Sequence, residues 1–436
     1  MATSELKGQS VQVNRSMWGG ALSMLIDTYD IYLPAFVLPA AMGYFEPASL
    51  PATVKVTLIS LMVAITLIGR PLGGAILGNL SDKVGRRRIT LVATWGFTIC
   101  TLILAIMPGY AQWGYGAIVL FFLLRFVDGG FLGGGYAGAV PLAMERSPVG
   151  LRGFLSGLVG VTNALALVLV SVVQLVVLSL MSKGAFATWG WRLPFLFGVI
   201  LGIAFIGFYS SVPEQEMSYL SKESGAAKQP IWELFTKTNG KKFGQLFLLI
   251  SGFWFVLYTA GVFLPSLLIG ILHEPAKSVS LLEIIVQFGT MATALIAGVL
   301  SQKIGRRPMF MWAGGWILVI LAPVYYLIIK NAQGGAGFGT VAVLAFIAVA
   351  FSVGPALGLI FSYLNECFPT RIRSTGYSVV YSFGLIIPSF FSIYLVWLSR
   401  LVPYAYTVVI LFGLGGLLVL LGSWLGPETR DVNLLG

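Results

Sequence analysis

Uninterrupted apolar stretches of eighteen or more residues recur along the whole of this 436-residue chain. Each stretch is long enough to cross the apolar core of a bilayer, which is about 30 Å thick. Only 10% of the residues are charged, whereas soluble domains carry about 25%. A closed β-barrel would need short segments in which apolar and polar residues alternate. The sequence therefore predicts an all-α membrane protein with about twelve transmembrane helices.

The net charge of +11 does not indicate nucleic-acid binding, because the basic residues lie in short connections between the apolar stretches. Nineteen of the 27 Lys and Arg residues fall on one side of the predicted membrane and six on the other. Positive residues mark the cytosolic side, so we expect both termini in the cytosol and the chain in the cell membrane. The polar first fifteen residues predict no removable signal peptide.

One long polar connection divides six predicted spans from six. The sequence therefore predicts an N-terminal bundle at residues 1–213, a cytosolic linker at 214–243 and a C-terminal bundle at 244–436. We expect the chain to act as a monomer in the lipid bilayer.

The two halves also repeat in sequence. GNLSDKVGRRR from Gly78 is similar to GVLSQKIGRRP from Gly298, and ERSPVGLRG from Glu145 is similar to ECFPTRIRS from Glu366. Offsets of 220 and 221 residues indicate an internal duplication, which in transporters places the substrate site between the repeats. The predicted fold is two pseudo-symmetric six-helix bundles.

These motifs resemble those of the major facilitator superfamily. The segment from Gly78 is similar to its signature loop between helices 2 and 3, and RFVDG from Arg125 to its helix 4 motif. Within the superfamily the chain is most similar to the metabolite:proton symporters, through DTYDIY from Asp27, RPLG from Arg70 and FPTRIRSTGYS from Phe368. Those symporters often place an acid after a Gly pair in helix 4, where this chain has Gly.

The resemblance implies a secondary active transporter that moves a small organic acid together with a proton by alternating access. It implies no catalytic residue, no metal ion and no organic cofactor, since the proton is the coupling ion. It also implies a cytosolic latch that holds the two halves together and releases during turnover. The latch residues that it implies are Asp82, Arg86, Arg87, Glu145, Arg152, Glu366 and Arg373. Gln302 stands where the first half has Asp82, which predicts a weaker latch in the second half.

Five charged residues lie deep inside predicted spans 1, 2 and 4. They are Asp27, Asp30, Arg70, Arg125 and Asp128. Charges near the bilayer midplane are costly and normally face a cavity or one another. The five residues therefore predict either buried pairs that lock these helices or a site for substrate and proton. The two arginines are the candidates for the substrate carboxylate.

The same set predicts which acid carries the proton. Three acids and two arginines leave a charge of −1, which a single proton neutralises. Asp30 is the first candidate, because burial favours its neutral form while a nearby arginine favours the carboxylate. Asp27 is the second, since it lies three residues earlier on nearly the same face. Asp128 is the third, because Arg125 at the i, i+3 spacing is placed to hold it ionised.

The C-terminal half has no comparable set of embedded charges, and Glu283 near the outer end of span 8 is the closest. We expect its cavity face to use aromatic and amide groups instead. Besides the two arginines, the candidates for substrate contact are Tyr32, Asn163, Tyr258, Gln287, Tyr377 and Tyr381. Each of these taken alone fits a packing role as well, but Tyr377 and Tyr381 share a helix face at the four-residue spacing.

Other functions remain open at this stage. A sugar or polyol carrier of the same fold is the first alternative, because sugar porters share the Glu-Pro-Arg loops. A non-transporting nutrient sensor is the second, although such sensors usually add a long cytosolic tail. The run GGGYAG from Gly133 matches a dinucleotide-binding fingerprint, but that motif needs a strand before it and this run lies in an apolar helix.

Overall fold

The computed structural model describes residues 2–38, 41–47, 49–50, 52–212, 233–270, 272, 274–335 and 337–434. Twelve long helical segments run through these residues, and six of them belong to each half. They are α1 (Ala2–Val37), α2 (Ala52–Val84), α3 (Arg86–Ile106), α4 (Tyr115–Arg146), α5 (Arg152–Leu180), α6 (Arg192–Tyr209), α7 (Lys237–Val256, Leu257–Val262 and Leu264–Gly270), α8 (Ala276–Ile304), α9 (Arg306–Trp316, Ile317–Leu321 and Ala322–Gln333), α10 (Phe338–Cys367), α11 (Arg373–Ser389 and Phe391–Leu398) and α12 (Thr407–Leu425). Short helical segments lie at Met42–Tyr44, Tyr110–Trp113, Val149–Leu151, Lys183–Ala185, Phe186–Gly190, Thr370–Ile372 and Tyr404–Tyr406.

Helices are the expected form of these segments, because a helix satisfies its backbone hydrogen bonds internally where lipid offers none. Among the described residues, α2 to α12 are long and apolar enough to cross a membrane. The helix α1 differs because Asp27 and Asp30 lie within its apolar part and lower its mean hydropathy. The prediction of an all-α membrane fold is confirmed.

Three helical regions are interrupted by π-helical turns at Phe186–Gly190, Leu257–Val262 and Ile317–Leu321. A π turn releases backbone carbonyls from the regular pattern and is common at functional sites. In α7 the side chain of Tyr325 compensates for this, since its hydroxyl donates to the carbonyl oxygen of Ala260. A side chain of α9 therefore supplies a hydrogen-bond donor to the π turn of α7.

Helix packing follows the same pattern in both halves. The helix α2 packs on α4 as α8 packs on α10, α1 packs on α5 as α7 packs on α11, and α3 packs on α6 as α9 packs on α12. Between the halves, α2 packs on α11 and α5 on α8. Adding six to the helix numbers of the first half, and subtracting six from those of the second, turns the α2–α11 contact into the α8–α5 contact. The predicted pseudo-symmetric pair of six-helix bundles is therefore confirmed.

Glycines let the two halves approach closely at the end of the molecule that carries Glu145, which we call the latch end. A Cβ atom at Gly153 of α5 would lie 2.3 Å from the carbonyl oxygen of Gly298 in α8. Between α2 and α11, a Cβ atom at Gly78 would lie 2.6 Å from the hydroxyl oxygen of Ser378. Small residues are what allow membrane helices to pack at such distances. Larger side chains at these positions would separate the halves.

The predicted linker at 214–243 falls mostly on residues 213–232, which lie outside the described residues. Where the description resumes, the chain is already helical from Lys237. The division of the chain at 213 and 244 stays a prediction.

Candidate functional site

Asp27 of α1 and Arg70 of α2 form a buried ion pair that also touches the other half. The Nη2 atom of Arg70 lies 3.0 Å from Oδ2 of Asp27, and both side chains are almost fully buried. Gly133 allows α4 to pack here, since a Cβ atom at that position would lie 2.2 Å from the Arg70 carbonyl oxygen. The guanidinium of Arg70 lies over the ring of Tyr381 in α11, 5.9 Å from its centroid. Arg70 therefore contacts an acid of its own half and an aromatic ring of the other.

Arg125 of α4 forms a second buried group with two acids. Its Nη1 atom lies 2.9 Å from Oδ2 of Asp30 and 2.8 Å from Oδ2 of Asp128. Its Nε donates to the hydroxyl of Thr66 at 2.8 Å, and its Nη2 donates to the carbonyl oxygens of Asp30 and Ile31, each at 3.2 Å. All the donor nitrogens of Arg125 thus have acceptors within the N-terminal half. This leaves Arg125 poorly placed to bind a substrate carboxylate.

An aromatic cluster of the C-terminal half faces Arg70. The rings of Trp254 and Tyr258 in α7 stack with their centroids 5.3 Å apart, and Trp254 lies edge-on to Tyr381 at 5.4 Å. Tyr377 stacks on Tyr381 at 5.8 Å, as expected from the four-residue spacing. Aromatic faces attract cations and pack against apolar surfaces. This cluster therefore forms a predominantly apolar wall with polar edges beside the arginine.

A narrow cleft lies between the two halves. Four of its lining side chains are polar, namely Tyr32, Asn163, Glu283 and Gln287. The π turn of α7 contributes part of the wall. The described residues that line the cleft are Tyr32, Phe36, Asn163, Leu167, Leu257, Gly261, Val262, Glu283, Gln287, Val349, Val353 and Leu357. Ligand sites are typically such concave, mostly apolar spaces with a few placed polar groups.

Tyr32 connects this cleft to the buried pair. Its side chain lines the cleft and lies within electrostatic range of both Arg70 and Asp27. Asn163, on the same side, is held by a hydrogen bond from its Nδ2 to the hydroxyl of Thr28 at 2.8 Å. The cleft and the Asp27–Arg70 pair are thus neighbouring parts of one region.

The structure divides the sequence-based candidates for substrate contact into three groups. Tyr32, Asn163 and Gln287 line the cleft. Arg70, Tyr258, Tyr377 and Tyr381 belong to the arginine and aromatic cluster next to it. Arg125 belongs to neither, because its donors are used by Asp30, Asp128, Thr66 and two carbonyls.

Glu283 is a lining residue that the sequence-based candidates left out. It is only 4% exposed and lies in the wall of the cleft. Its position four residues before Gln287 is the signal that could have found it, because that spacing puts both side chains on one helix face. Because Glu283 lies far along the chain from the other embedded charges, the sequence does not connect it with them.

Glu145 connects the two halves at the latch end. Its Oε2 pairs with Arg86 at the start of α3, and its Oε1 accepts a hydrogen bond from Nη1 of Arg373 in α11 at 2.5 Å. All three side chains are buried. Removing one member of a buried ion pair is costly, because it leaves an uncompensated charge. A buried ionic group therefore crosses the interface between the halves.

The second half repeats this arrangement with Glu366 and Arg306 in place of Glu145 and Arg86. Nε and Nη2 of Arg306 bind the two carboxylate oxygens of Glu366 at 3.2 and 3.0 Å, a bidentate geometry. Arg152, the counterpart of Arg373, lies within electrostatic range of Glu366. Arg306 is not among the latch residues predicted from the sequence, although the repeat of GRRR as GRRP points to it.

Gln302 contributes a contact between the halves that the sequence analysis did not anticipate. Its Oε1 accepts hydrogen bonds from Nη2 of Arg306 at 2.8 Å and from the backbone nitrogen of Gly153 in α5 at 3.2 Å. The side chain of Asp82, its counterpart, lies outside the described residues, so the relative strength of the two latches stays a prediction. Arg87 donates to the carbonyl oxygen of Ser210 within the first half.

Residues 427–434, which we call the tail segment, pack against the second latch. The carboxylate of Glu428 accepts hydrogen bonds from the backbone nitrogens of Arg306 at 2.9 Å and Arg307 at 3.0 Å. These nitrogens begin α9, so the contact satisfies helix-terminal donors and complements the helix dipole. The hydroxyl of Thr429 donates to Oε2 of Glu366 at 2.7 Å.

The last part of the tail segment reaches arginines of both halves. Arg152 of the first half donates to the carbonyl oxygen of Val432 at 2.5 Å. Arg373 of the second half donates to the carbonyl oxygen of Leu434 at 3.1 Å, and Thr370 donates to the same oxygen at 2.8 Å. The Leu434 side chain is buried. The tail segment therefore adds a second connection across the latch end.

Comparison with known proteins agrees with this architecture. The family model described as "Sugar (and other) transporter" matches residues 20–435. Among curated proteins of Escherichia coli K12, the chain is 28% identical to the inner membrane metabolite transport protein YhjE, covering 97% of this chain and 96% of that one. It is 26% identical to the proline/betaine transporter (92% and 81% covered) and 25% identical to the alpha-ketoglutarate permease (87% and 86% covered).

Solved structures show the same fold. The chain superimposes on the proton:xylose symporter XylE bound to 6-bromo-6-deoxy-D-glucose with a TM-score of 0.76, covering 98% of this chain and 99% of that one. The sequence identity is 19%, so this likeness concerns the fold and not the bound molecule.

Proposed function

The chain belongs to the sugar (and other) transporter family of the major facilitator superfamily, and we propose that it carries a small organic carboxylate together with a proton by alternating access. It is an integral membrane transporter and not an enzyme. The proposal includes the latch end on the cytosolic side, as the distribution of Lys and Arg predicts, and a monomer with the proton as its coupling ion.

The observation that carries the proposal is the position of Arg70. Its guanidinium pairs with Asp27 in the first half and lies over Tyr381 in the second. A group that contacts both halves can convert substrate binding into movement of one half against the other. Arginine also offers a carboxylate two parallel hydrogen bonds. Arg70 is therefore the substrate arginine of this account, and Arg125 is not.

Substrate binding at Arg70 also acts on Asp27, the second candidate for the coupling group after Asp30. A substrate carboxylate that approaches Arg70 competes with Asp27 for the same guanidinium. Asp27 then loses its counter-charge in a buried setting, where the neutral acid is favoured. Binding of the substrate anion thus promotes uptake of a proton, which is the linkage that symport requires.

The Arg125 group contains the first and third candidates for the coupling group, Asp30 and Asp128. One arginine faces the two acids Asp30 and Asp128, so this group carries a charge of −1 unless a proton joins it. Asp30 remains the first choice for the coupling group, because it joins α1 to α4 through Arg125 and to α3 through Thr101, so a change in its charge acts on three helices.

A sugar or polyol carrier fits the cleft less well. A sugar presents many hydroxyl groups, and each hydroxyl that is buried without a partner costs free energy. Among the described residues that line the cleft, four of twelve have polar side chains. This supports a small substrate with one strongly polar end and an apolar body.

The test is uptake by purified protein in liposomes with a pH gradient, using α-ketoglutarate, proline, pentanoate and xylose as probes. We expect a carboxylate to accumulate and xylose to remain outside. Arg70→Ala should abolish uptake, and Arg70→Lys should lower it strongly, because a point charge cannot reproduce the two-pronged contact.

The matched control is Arg400→Ala, which removes an exposed arginine far from the cleft in sequence and should transport normally. Uptake by Arg70→Ala at the wild-type rate, with wild-type affinity, would show that Arg70 is only a structural partner of Asp27.

A further inference from the structure

We infer that Glu283 binds a hydrogen-bond donor of the substrate, for which a protonated amine fits best, so that the cleft takes a zwitterion. The inference rests on the proposed function, in which Arg70 takes the carboxylate, and it adds the recognition of the opposite end. Glu283 lies in the C-terminal half and Arg70 in the N-terminal half, so the two ends of the substrate would contact different halves.

Glu283 is a buried acid in the wall of a cleft. It belongs to α8, is 4% exposed and faces the same space as Tyr32 and Asn163 of the other half. Gln287 lies one turn further along the same face. Gln287 is hydrogen-bonded to Glu283, and the wall that α7 and α10 contribute is apolar, with Leu and Val side chains and Gly261. A ligand in this cleft therefore meets a single acidic group.

The carboxylate of Glu283 differs from those of five other buried acids. Asp27, Asp30, Asp128, Glu145 and Glu366 each lie within ion-pair distance of an arginine. Glu283 has no such arginine or lysine among the described residues, and its Oε1 has no hydrogen-bond partner among them. Among these six acids, Glu283 is thus the one whose counter-ion is not supplied by the described residues.

An unpaired carboxylate in an apolar wall is unfavourable, and so is a carboxylic acid whose hydrogen bonds are unmade. A protonated amine removes both deficits, because it supplies a positive charge and several N–H donors. A carboxylate substrate with only an apolar second end would leave Oε1 without a partner. The cleft is therefore better matched to a zwitterion than to a simple anion.

A neutral Glu283 that donates a hydrogen bond is the competing state, and substitution separates the two. Glu283→Gln keeps the size of the side chain and its ability to donate, but removes the charge. If Glu283 acts as a neutral donor, glutamine should replace it. If it acts as the counter-charge of an amine, glutamine should fail selectively with substrates that carry the amine.

The experiment measures binding to purified full-length protein by calorimetry with two matched pairs. In the first pair, 4-aminobutanoate is compared with pentanoate, in which a methyl group replaces the ammonium. In the second, proline is compared with tetrahydrofuran-2-carboxylate, in which oxygen replaces the amine. We expect wild type to bind a zwitterion about 10- to 100-fold more tightly than its partner compound, the range of a hydrogen bond to a charged group.

Glu283→Gln should reduce this preference to within about threefold while leaving the binding of the amine-free carboxylates unchanged. Glu274→Gln, an acid on the segment before α8 that does not line the cleft, is the matched control and should keep the wild-type preference. Equal preference in wild type and Glu283→Gln would overturn the inference, as would a wild type that binds the amine-free acids as tightly as the zwitterions.

The outcome also separates this inference from the proposed function. Binding of α-ketoglutarate and pentanoate without any preference for the amine would overturn the role of Glu283 and leave that of Arg70 intact. Zwitterion binding that survives Arg70→Ala but not Glu283→Gln would do the reverse. Failure of every carboxylate to bind wild type would overturn both.

Discussion

The guanidinium of Arg373, at the start of α11 in the second half, binds the carboxylate of Glu145 in the first half, with Nη1 2.5 Å from Oε1. The two residues are 228 positions apart. Glu145 is also paired with Arg86 of its own half, so it holds an arginine from each side of the interface. Any movement that opens the latch end must break the contact with Arg373 and can leave the contact with Arg86 in place.

The first prediction is that Arg373→Ala destabilises the closed latch. Because it leaves part of a buried ionic group uncompensated, we expect a coupling free energy with Glu145 of about 1–3 kcal/mol in a double-mutant cycle. The measurement is the modification rate of a cysteine placed at Ser378, in the closely packed α2–α11 interface, which should rise in Arg373→Ala. Arg371→Ala, which removes a partly exposed ion pair with Glu233, is the control. Equal rates in the two variants would contradict the latch.

The second prediction concerns the tail segment. Truncation after Arg430 removes the carbonyl acceptors of Arg152 and Arg373 at Val432 and Leu434. We expect faster hydrogen exchange at the starts of α5 and α11, because their arginines lose partners that hold them in place. Leu434→Ala keeps the backbone and loses only a buried side chain, so its effect should be smaller. Unchanged exchange in the truncated protein would show that the tail contributes nothing to the latch.

The third prediction tests whether the cleft is the substrate pathway. Gly261 lies in the π turn of α7, lines the cleft and has open space where a Cβ would be. Gly261→Leu should therefore fill the cleft and lower transport by at least about tenfold, with a loss of stability of no more than about 1 kcal/mol, the centre of the range for single substitutions. Gly315→Leu, at another open glycine that does not line the cleft, should transport normally. Normal transport by Gly261→Leu would show that the substrate does not pass through this cleft.

Much of this architecture can be predicted from the sequence, because the length of the apolar runs limits the structures that they can form. A run of eighteen apolar residues can cross a bilayer in few ways, and the repeat of the Gly78 segment at Gly298 fixes how the halves relate. The depth of Asp27 and Arg70 along their helices follows from a rise of about 1.5 Å per residue. Those two residues meet as the embedded charges suggested.

The rotation of each helix about its own axis is harder to predict from the sequence. The contacts that depend on this rotation are the ones that only the structure shows. Counting residues places Arg70 and Arg125 at similar depth, but only packing shows that Arg125 is surrounded by acceptors of its own half. Glu283 is the closest embedded charge of the C-terminal half in the sequence, but only the structure shows that its helix face turns it into the cleft. The tail contacts at Leu434 depend on where distant segments end, which local patterns do not encode.

The fourth prediction separates the two acids of the Arg125 group. Asp128 lies three residues from Arg125 on the same helix, whereas Asp30 connects α1 to α4. Asp128→Asn should therefore lower ΔpH-driven uptake only in part, because Asp30 can still take the proton. The comparison is the initial uptake rate of the two asparagine variants at equal amounts of reconstituted protein. A larger loss in Asp128→Asn than in Asp30→Asn would exchange their roles.

The most direct measurement of the central claim follows substrate and proton together in liposomes that contain Asp30→Asn protein and a pH-sensitive dye. With a carboxylate that wild type accumulates, wild type should take up substrate and acidify the lumen when only ΔpH is applied. Asp30→Asn should do neither, yet should still exchange labelled for unlabelled substrate, because exchange needs no net proton movement. Asp30→Asn protein that concentrates the substrate and acidifies the lumen as wild type does would contradict proton coupling through this residue.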